Sequence, residues 1–229
     1  MAQLEAVIFD FDGVIVDSEP IHYEGFRQVM RQACGEELTE SQYYARYVAY
    51  ADKEAFEHMA ADRGLACNEE QIRQWSAQKT AIVRRALSES IDPLPGVLEL
   101  MLAARDHEIA VGICSSALRE EIEIPLTAVA ARSLVQCIVS AEDVPASKPD
   151  PAGYLLAVKR LGEQLGRELS PAACVAIEDS PGGTEAALAA NLHVLAVTNT
   201  VPADQLSRAD RVVDSLAEIT LADLAALIA

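Results

Sequence analysis

The chain has 229 residues, 51% of them apolar, and a formal net charge of −18 at pH 7. That is enough for one large domain, or one domain with a small insertion, around a packed core. The charge argues against nucleic acid and anionic membrane surfaces as partners, and any anionic substrate needs a local positive site.

In chain order, residues 5–10 read as a first strand centred on Val7-Ile8-Phe9, and 19–33 as a helix closed by Cys34-Gly35. Residues 39–90 are dense in Ala, Glu, Gln and Arg and hold no strand-like run, so this stretch reads as almost wholly helical. Asp92-Pro93-Leu94-Pro95-Gly96 breaks the pattern as a hinge or linker. Elements then alternate: a helix near 96–105, a strand over 109–114, a helix near 117–131, a short strand at 137–139, and a helix over 151–165. The strand 174–177, a helix near 182–190, the strand 194–197, an edge strand at 211–213 and a closing helix over 221–228 complete the series. Such alternation means a parallel sheet covered on both faces. The expected fold is α/β: a doubly wound, Rossmann-like core made of residues 1–16 and 93–229, with 17–92 inserted as an α-helical cap domain.

No run of 18 apolar residues occurs, and Met1-Ala2-Gln3-Leu4-Glu5 lacks the basic and apolar parts of a signal peptide. A soluble, cytoplasmic protein is expected. Cys34, Cys67, Cys114, Cys137 and Cys174 are odd in number and widely spaced, so they read as reduced, mostly buried small hydrophobes. The four histidines form no zinc pattern.

Four short segments carry the chemistry. Asp10 and Asp12 end the first strand, two residues apart, and strand geometry would aim both at one point. Two carboxylates that close need a cation or a shared proton to offset their repulsion. Ser115 and Ser116 follow Ile113-Cys114, Lys148 stands in Ser147-Lys148-Pro149-Asp150-Pro151, and Glu178 and Asp179 follow Ile177. In a parallel sheet all these ends share one edge, where ligands of open α/β sheets bind.

The motifs Asp-Phe-Asp-Gly-Val-Ile-Val-Asp-Ser-Glu, Cys-Ser-Ser, Ser-Lys-Pro-Asp-Pro and Ile-Glu-Asp-Ser-Pro-Gly-Gly, in this order, resemble the haloacid dehalogenase superfamily. The likeness covers nearly the whole chain and points to the phosphatase and phosphomutase branch, with a helical cap after the first strand. It implies Asp10 as nucleophile, Asp12 as acid/base, Lys148 as the fixed positive charge and Ser115 as a donor to a phosphate oxygen. Backbone amides at Ser116 and Ala117, opening a helix, would assist. The implied cofactor is magnesium, held by Asp10, Asp179 and the carbonyl of Asp12, with Glu178 a ligand through water. His22 and Lys79 fall where phosphomutase-like relatives contact the sugar phosphate. Each residue has a plainer reading beside this one. Ser115 could cap a helix, Lys148 could be a solvated loop lysine, Glu178 could only tune Asp179, His22 could be a surface or packing residue, and Lys79 a helix-face charge.

Two departures from the family pattern stand out. Asn191 occupies a place where glycine is common, and asparagine is the next best residue for a left-handed helix terminus. Tyr47-Val48-Ala49-Tyr50-Ala51-Asp52-Lys53 lacks the glycine near Ala49 and the arginine that often follows, which suggests a different specificity. The expected function is a magnesium-dependent phosphatase of a small phosphorylated metabolite, a sugar phosphate or phosphoglycolate-like compound, acting through an aspartyl phosphate. The alternative is a phosphomutase of the β-phosphoglucomutase kind. Dehalogenation would need neither Asp12 nor a metal, and a regulatory protein on a dead enzyme fold would have shed some of these groups. A monomer or weak homo-oligomer is expected.

Overall fold

The computed structural model describes residues 3–48, 50, 52–89 and 91–228. The chain divides into two compact units, Met1–Asp17 with Ile91–Ala229, and Ser18–Ser90.

The first unit is built on a six-stranded sheet of β1 (Ala6–Phe9), β2 (Ala110–Cys114), β3 (Cys137–Val139), β4 (Cys174–Glu178), β5 (His193–Val197) and β6 (Arg211–Val213). Every pairing is parallel, and the order is β3-β2-β1-β4-β5-β6. The chain runs outward from β1 through β2 to β3, then returns to start again at β4 on the other side of β1. That reversal puts the topological switch point between β1 and β4, where open α/β sheets form their crevice.

Alternate strand residues divide the core into two layers. Val7, Phe9, Val111, Ile113, Val175 and Ile177 face one layer. It is closed by residues of α5 (Val97–Asp106), α6 (Arg119–Ala128) and α9 (Leu221–Ala225). Ala6, Ile8, Cys114 and Ala176 face the other, against α7 (Ala152–Leu165) and α8 (Pro181–Ala189). The smaller side chains of this second face let α7 approach closely. A Cβ built on Gly153 would lie 2.8 Å from the Cys114 sulfur. All five cysteines are free, as expected. Asn191 takes φ +62°, the left-handed turn after α8 that its side chain permits.

The helical unit contains α1 (Glu19–Cys34), α2 (Glu40–Arg46), α3 (Asp52–Asp62) and α4 (Glu69–Glu89). Gly35 at φ +75° terminates α1, and Thr39 with Gln42 forms a capping box on α2. An aromatic core holds the unit together: Phe26 lies 4.9 Å from Phe56 and 5.6 Å from Tyr43 between ring centroids. Of the segment expected to read substrate, Ala49 and Ala51 lie outside the described residues. Among the described residues no helix is long and apolar enough to cross a membrane.

Candidate active site

The register places the site. Phe9 pairs with Ile113 on one side and Ile177 on the other, so Asp10 emerges beside Cys114 and Glu178. The Asp10 amide donates to the Ile177 carbonyl at 2.8 Å, which extends the ladder one step past β1.

Lys148 joins the two sides. Its ammonium donates to Asp10 Oδ1 and to Glu178 Oε1, both at 2.6 Å. The first of these contacts spans 138 residues of sequence. Carboxylate oxygens of Asp10, Glu178 and Asp179 lie within 4.8 Å of one another. The trio is nearly sealed from solvent: the Asp10 side chain is 13% exposed, while Glu178 is 0% and Asp179 4% exposed. Burial raises the Asp10 carboxyl well above the ordinary carboxylate range; Lys148 opposes this, and the charges of Glu178 and Asp179 add to it. Burial likewise pushes Asp179 up to about 6, against a hydrogen bond from Thr200 and with the help of Glu178. Burial alone would lower Lys148, but Asp10 and Glu178 outweigh it and hold its ammonium above the usual range.

Local sequence explains how each group is held. Ser180 caps α8 by accepting from the Gly183 amide at 3.1 Å, and Pro181 starts the helix. Gly183 is there for space: a Cβ would lie 2.0 Å from the Glu178 carboxyl. Asp150 accepts from the Ala152 amide at 2.9 Å, an Asx turn ahead of α7 that fixes the loop carrying Lys148.

Asp12 departs from the expected strand geometry. β1 ends at Phe9, and residues 11–16 turn back on themselves, with Gly13 N donating to Val16 O at 2.8 Å. The same-side rule for residues i and i+2 therefore stops short of Asp12. Its carboxylate is outside the close trio and acts on Asp179 as a neighbouring negative charge. Gly13 has φ +73°, and a Cβ there would fall 1.9 Å from Asp179 Oδ2. Gly13→Ala should therefore cost more than about 2 kcal/mol, since the left-handed backbone alone costs about 1–2 kcal/mol. Denaturant unfolding of the variant beside its parent checks this, and an unchanged midpoint would contradict it.

Ser115 is buried, and its Oγ accepts from the Ala117 amide at 3.0 Å. Ser115, Ser116 and Lys148 line one narrow cleft. The expected helix start at Ser116 and Ala117 is corrected: α6 begins at Arg119, and Ser116 lies exposed in the turn before it. The reason is local. Ser115 takes up the Ala117 amide, and Glu121 reaches back to the Leu118 amide at 3.2 Å, so the caps fall later.

Within the helical unit, Lys79 is buried at 2% exposure rather than lying on a solvated face. Its ammonium donates to Asp52 Oδ1 and to His22 Nδ1, both at 2.7 Å, and stands 4.8 Å from the Phe26 ring centroid. Burial lowers His22 to about 4, with Lys79 adding to it and Asp52 opposing. The ring is therefore neutral, accepts at Nδ1 and carries its hydrogen on Nε2.

Three further participants were not singled out from the sequence. Thr200 donates its hydroxyl to Asp179 Oδ2, and Asn199 Nδ2 donates to the Gly13 carbonyl at 2.8 Å. Both follow β5 on the same sheet edge, so the strand-end rule had the means to find them. Tyr154 donates to Glu178 Oε1 at 2.5 Å, and from sequence it reads as a core aromatic.

The donor set suits a hard divalent cation: three converging carboxylates, two of them raised by burial and by their neighbours' charge, with no sulfur or imidazole among the oxygens. Gly13 lets the backbone lie directly against the Asp179 carboxylate, where a Cβ would collide with it.

The haloacid dehalogenase-like hydrolase family model matches residues 7–197. YhcW of Bacillus subtilis (strain 168) is 32% identical over 220 residues, covering 96% of this chain and 95% of its own. Hexitol phosphatase B of Escherichia coli (strain K12) is 28% identical over 237 residues, covering 97% of each chain. The crystal structure of CbbY from Rhodobacter sphaeroides in complex with phosphate superposes with a TM-score of 0.82 at 25% identity, over 97% of this chain and 99% of that one. With its sheet order, its acidic edge and likenesses that run almost end to end, the chain belongs to the haloacid dehalogenase-like hydrolase family.

Proposed function

We propose that the protein is a cytoplasmic, magnesium-dependent phosphatase that hydrolyses a small phosphorylated metabolite through an aspartyl phosphate on Asp10. A sugar phosphate is the first candidate and a phosphoglycolate-like compound the second. The observation that carries this reading is the Lys148 ammonium held 2.6 Å from both Asp10 and Glu178, against three converging carboxylates. It is a positive point inside an acidic protein, beside a group that can attack phosphorus. Relatives that include a hexitol phosphatase and a phosphate-bound CbbY support the substrate class.

Magnesium, when bound, would neutralise charge on the carboxylates and on the transferring phosphoryl group. Asp10, Asp179 and the carbonyl of Asp12 are the residues to hold it, with Glu178 directly or through water. In the first step an Asp10 oxygen forms a bond to phosphorus while the bond to the leaving oxygen breaks. Asp12 gives that oxygen its proton, then removes one from the water that cleaves the aspartyl phosphate. Lys148 neutralises phosphate charge in a nearly dry site. Ser115 accepts from the Ala117 amide, which leaves its own hydrogen for a phosphate oxygen. The Ser116 amide adds a second donor. Within the helical unit, His22 and Lys79 are the proposed substrate-binding pair, with the buried Lys79 acting through His22. The Asp52–Lys79–His22 chain fixes the imidazole tautomer, so Nε2–H is a donor suited to a sugar hydroxyl.

Phosphate release from a panel of metabolites, with and without magnesium, tests the reading. Release that ignores magnesium, or no release from any phosphomonoester, would overturn it. Asp12→Ala should slow turnover of alkyl phosphates by at least about 100-fold, the usual lower range for a general acid/base. A parental rate would remove Asp12 from the mechanism. The mutase alternative shares the aspartyl phosphate and differs in the acceptor. It would interconvert hexose phosphates in the presence of a bisphosphate, with little free phosphate released.

A further inference from the structure

Glu178 is the one member of the acidic trio with no exposure at all, and both of its oxygens are occupied. Oε1 accepts from Lys148 at 2.6 Å and from the Tyr154 hydroxyl at 2.5 Å. Oε2 accepts from Ser180 Oγ at 3.2 Å and from the Asp179 amide at 3.3 Å. Tyr154 is itself 0% exposed, and its ring centroid lies 5.3 Å from the Lys148 nitrogen.

A phenylalanine would fill the same space between α7 and the sheet. The hydroxyl is the part that needs explaining, because a buried phenol must find a partner. Here the partner is a carboxylate of the trio rather than a backbone carbonyl, and the bond is short and charge-assisted. Without it, Oε1 would be held by Lys148 alone, and Asp10 and Asp179 would still repel the carboxylate.

We propose that Tyr154 is a positioning residue, whose hydroxyl fixes the Glu178 carboxylate within the acidic trio and so sets how tightly the trio holds a divalent cation. Magnesium demands near-ideal oxygen geometry, so a loosened carboxylate weakens binding before it changes anything else. Groups in this outer position around a metal commonly change affinity by about 10–100-fold when removed. The proposal rests on the phosphatase reading only for the choice of magnesium.

The test is calorimetric titration of Mg²⁺ into metal-free parent, Tyr154→Phe, Glu178→Gln and the double variant, with thermal melts of each. Tyr154→Phe should bind magnesium about 10-fold more weakly. Its kcat should climb back toward the parental value as magnesium is raised, while KM at saturating magnesium stays within about 2-fold. In the Glu178→Gln background the same substitution should have no further effect on magnesium affinity. Equal affinity of parent and Tyr154→Phe would overturn the proposal and leave the phosphatase reading standing. An equal loss in both backgrounds would also overturn it, since the effect would then be general loosening. A parent that binds no magnesium would overturn both.

Discussion

Asp10→Asn should abolish phosphate release, lowering turnover by at least about 10⁴-fold, while the protein melts no lower than its parent. The loss follows from the chemistry of the two side chains. A carboxylate oxygen can form a bond to phosphorus, and a carboxamide of the same shape cannot do so usefully. Geometry alone would not rescue the variant, because positioning and charge neutralisation act on a nucleophile that is no longer there. The second half of the expectation comes from the surroundings. Burial and the neighbouring Glu178 and Asp179 charges raise the Asp10 carboxyl well above its ordinary range despite Lys148. An ionised Asp10 is therefore costly in the absence of a metal ion, even beside Lys148, and a neutral amide relieves that cost. Lys148 keeps its bond to Glu178 at 2.6 Å. Phosphate assays beside thermal melts of metal-free protein check both halves. Residual activity near the parental level would sink the assignment of the nucleophile.

The parts legible in the sequence were those whose signal is local. Asp10, Ser115 and Glu178-Asp179 each end an apolar run, and parallel topology gathers such ends on one edge whatever the strand order. Lys148 stands out by its motif, although its partner Asp10 lies 138 residues away. The order of the strands was not legible, because it depends on which crossovers pass over which face of the sheet. Tyr154 is hidden from the sequence for a related reason. A tyrosine on the buried side of α7 has the pattern of any core aromatic, and only the tertiary register of α7 against β4 brings its hydroxyl to Glu178. Asp12 lies beyond the reach of the strand rule. β1 ends at Phe9 and the backbone leaves the sheet before Asp12, whose charge still acts on Asp179. In the sequence Asp52 stands only as part of an unusual loop. Its pairing with the buried Lys79 depends on α3 and α4 packing together, which no local pattern encodes.

Lys148→Met should reduce phosphate release by about 10³-fold or more and destabilise the metal-free protein by about 3–5 kcal/mol near pH 8, the usual cost of leaving a buried partner uncompensated. The replacement keeps most of the side-chain volume, so the effect isolates the charge. It leaves Asp10 and Glu178 facing Asp179 with no cation among them. The pH dependence has a definite sign. A carboxyl whose folded pKa is raised adds no penalty below its unfolded value of about 4, and the full penalty above its folded value. Asp179 stands at about 6 even with Lys148 present, and Asp10 is raised well above the ordinary range. Removing the ammonium raises both further. The stability gap between variant and parent should therefore be widest at pH 8 and shrink as pH falls through 6 toward 5. Taking the difference cancels the remaining groups of a protein with net charge −18, which respond to pH alike in both. Denaturant unfolding of the two proteins across that range measures the gap directly. A gap that is constant with pH, or that widens on acidification, would mean that Lys148 does not balance these carboxylates.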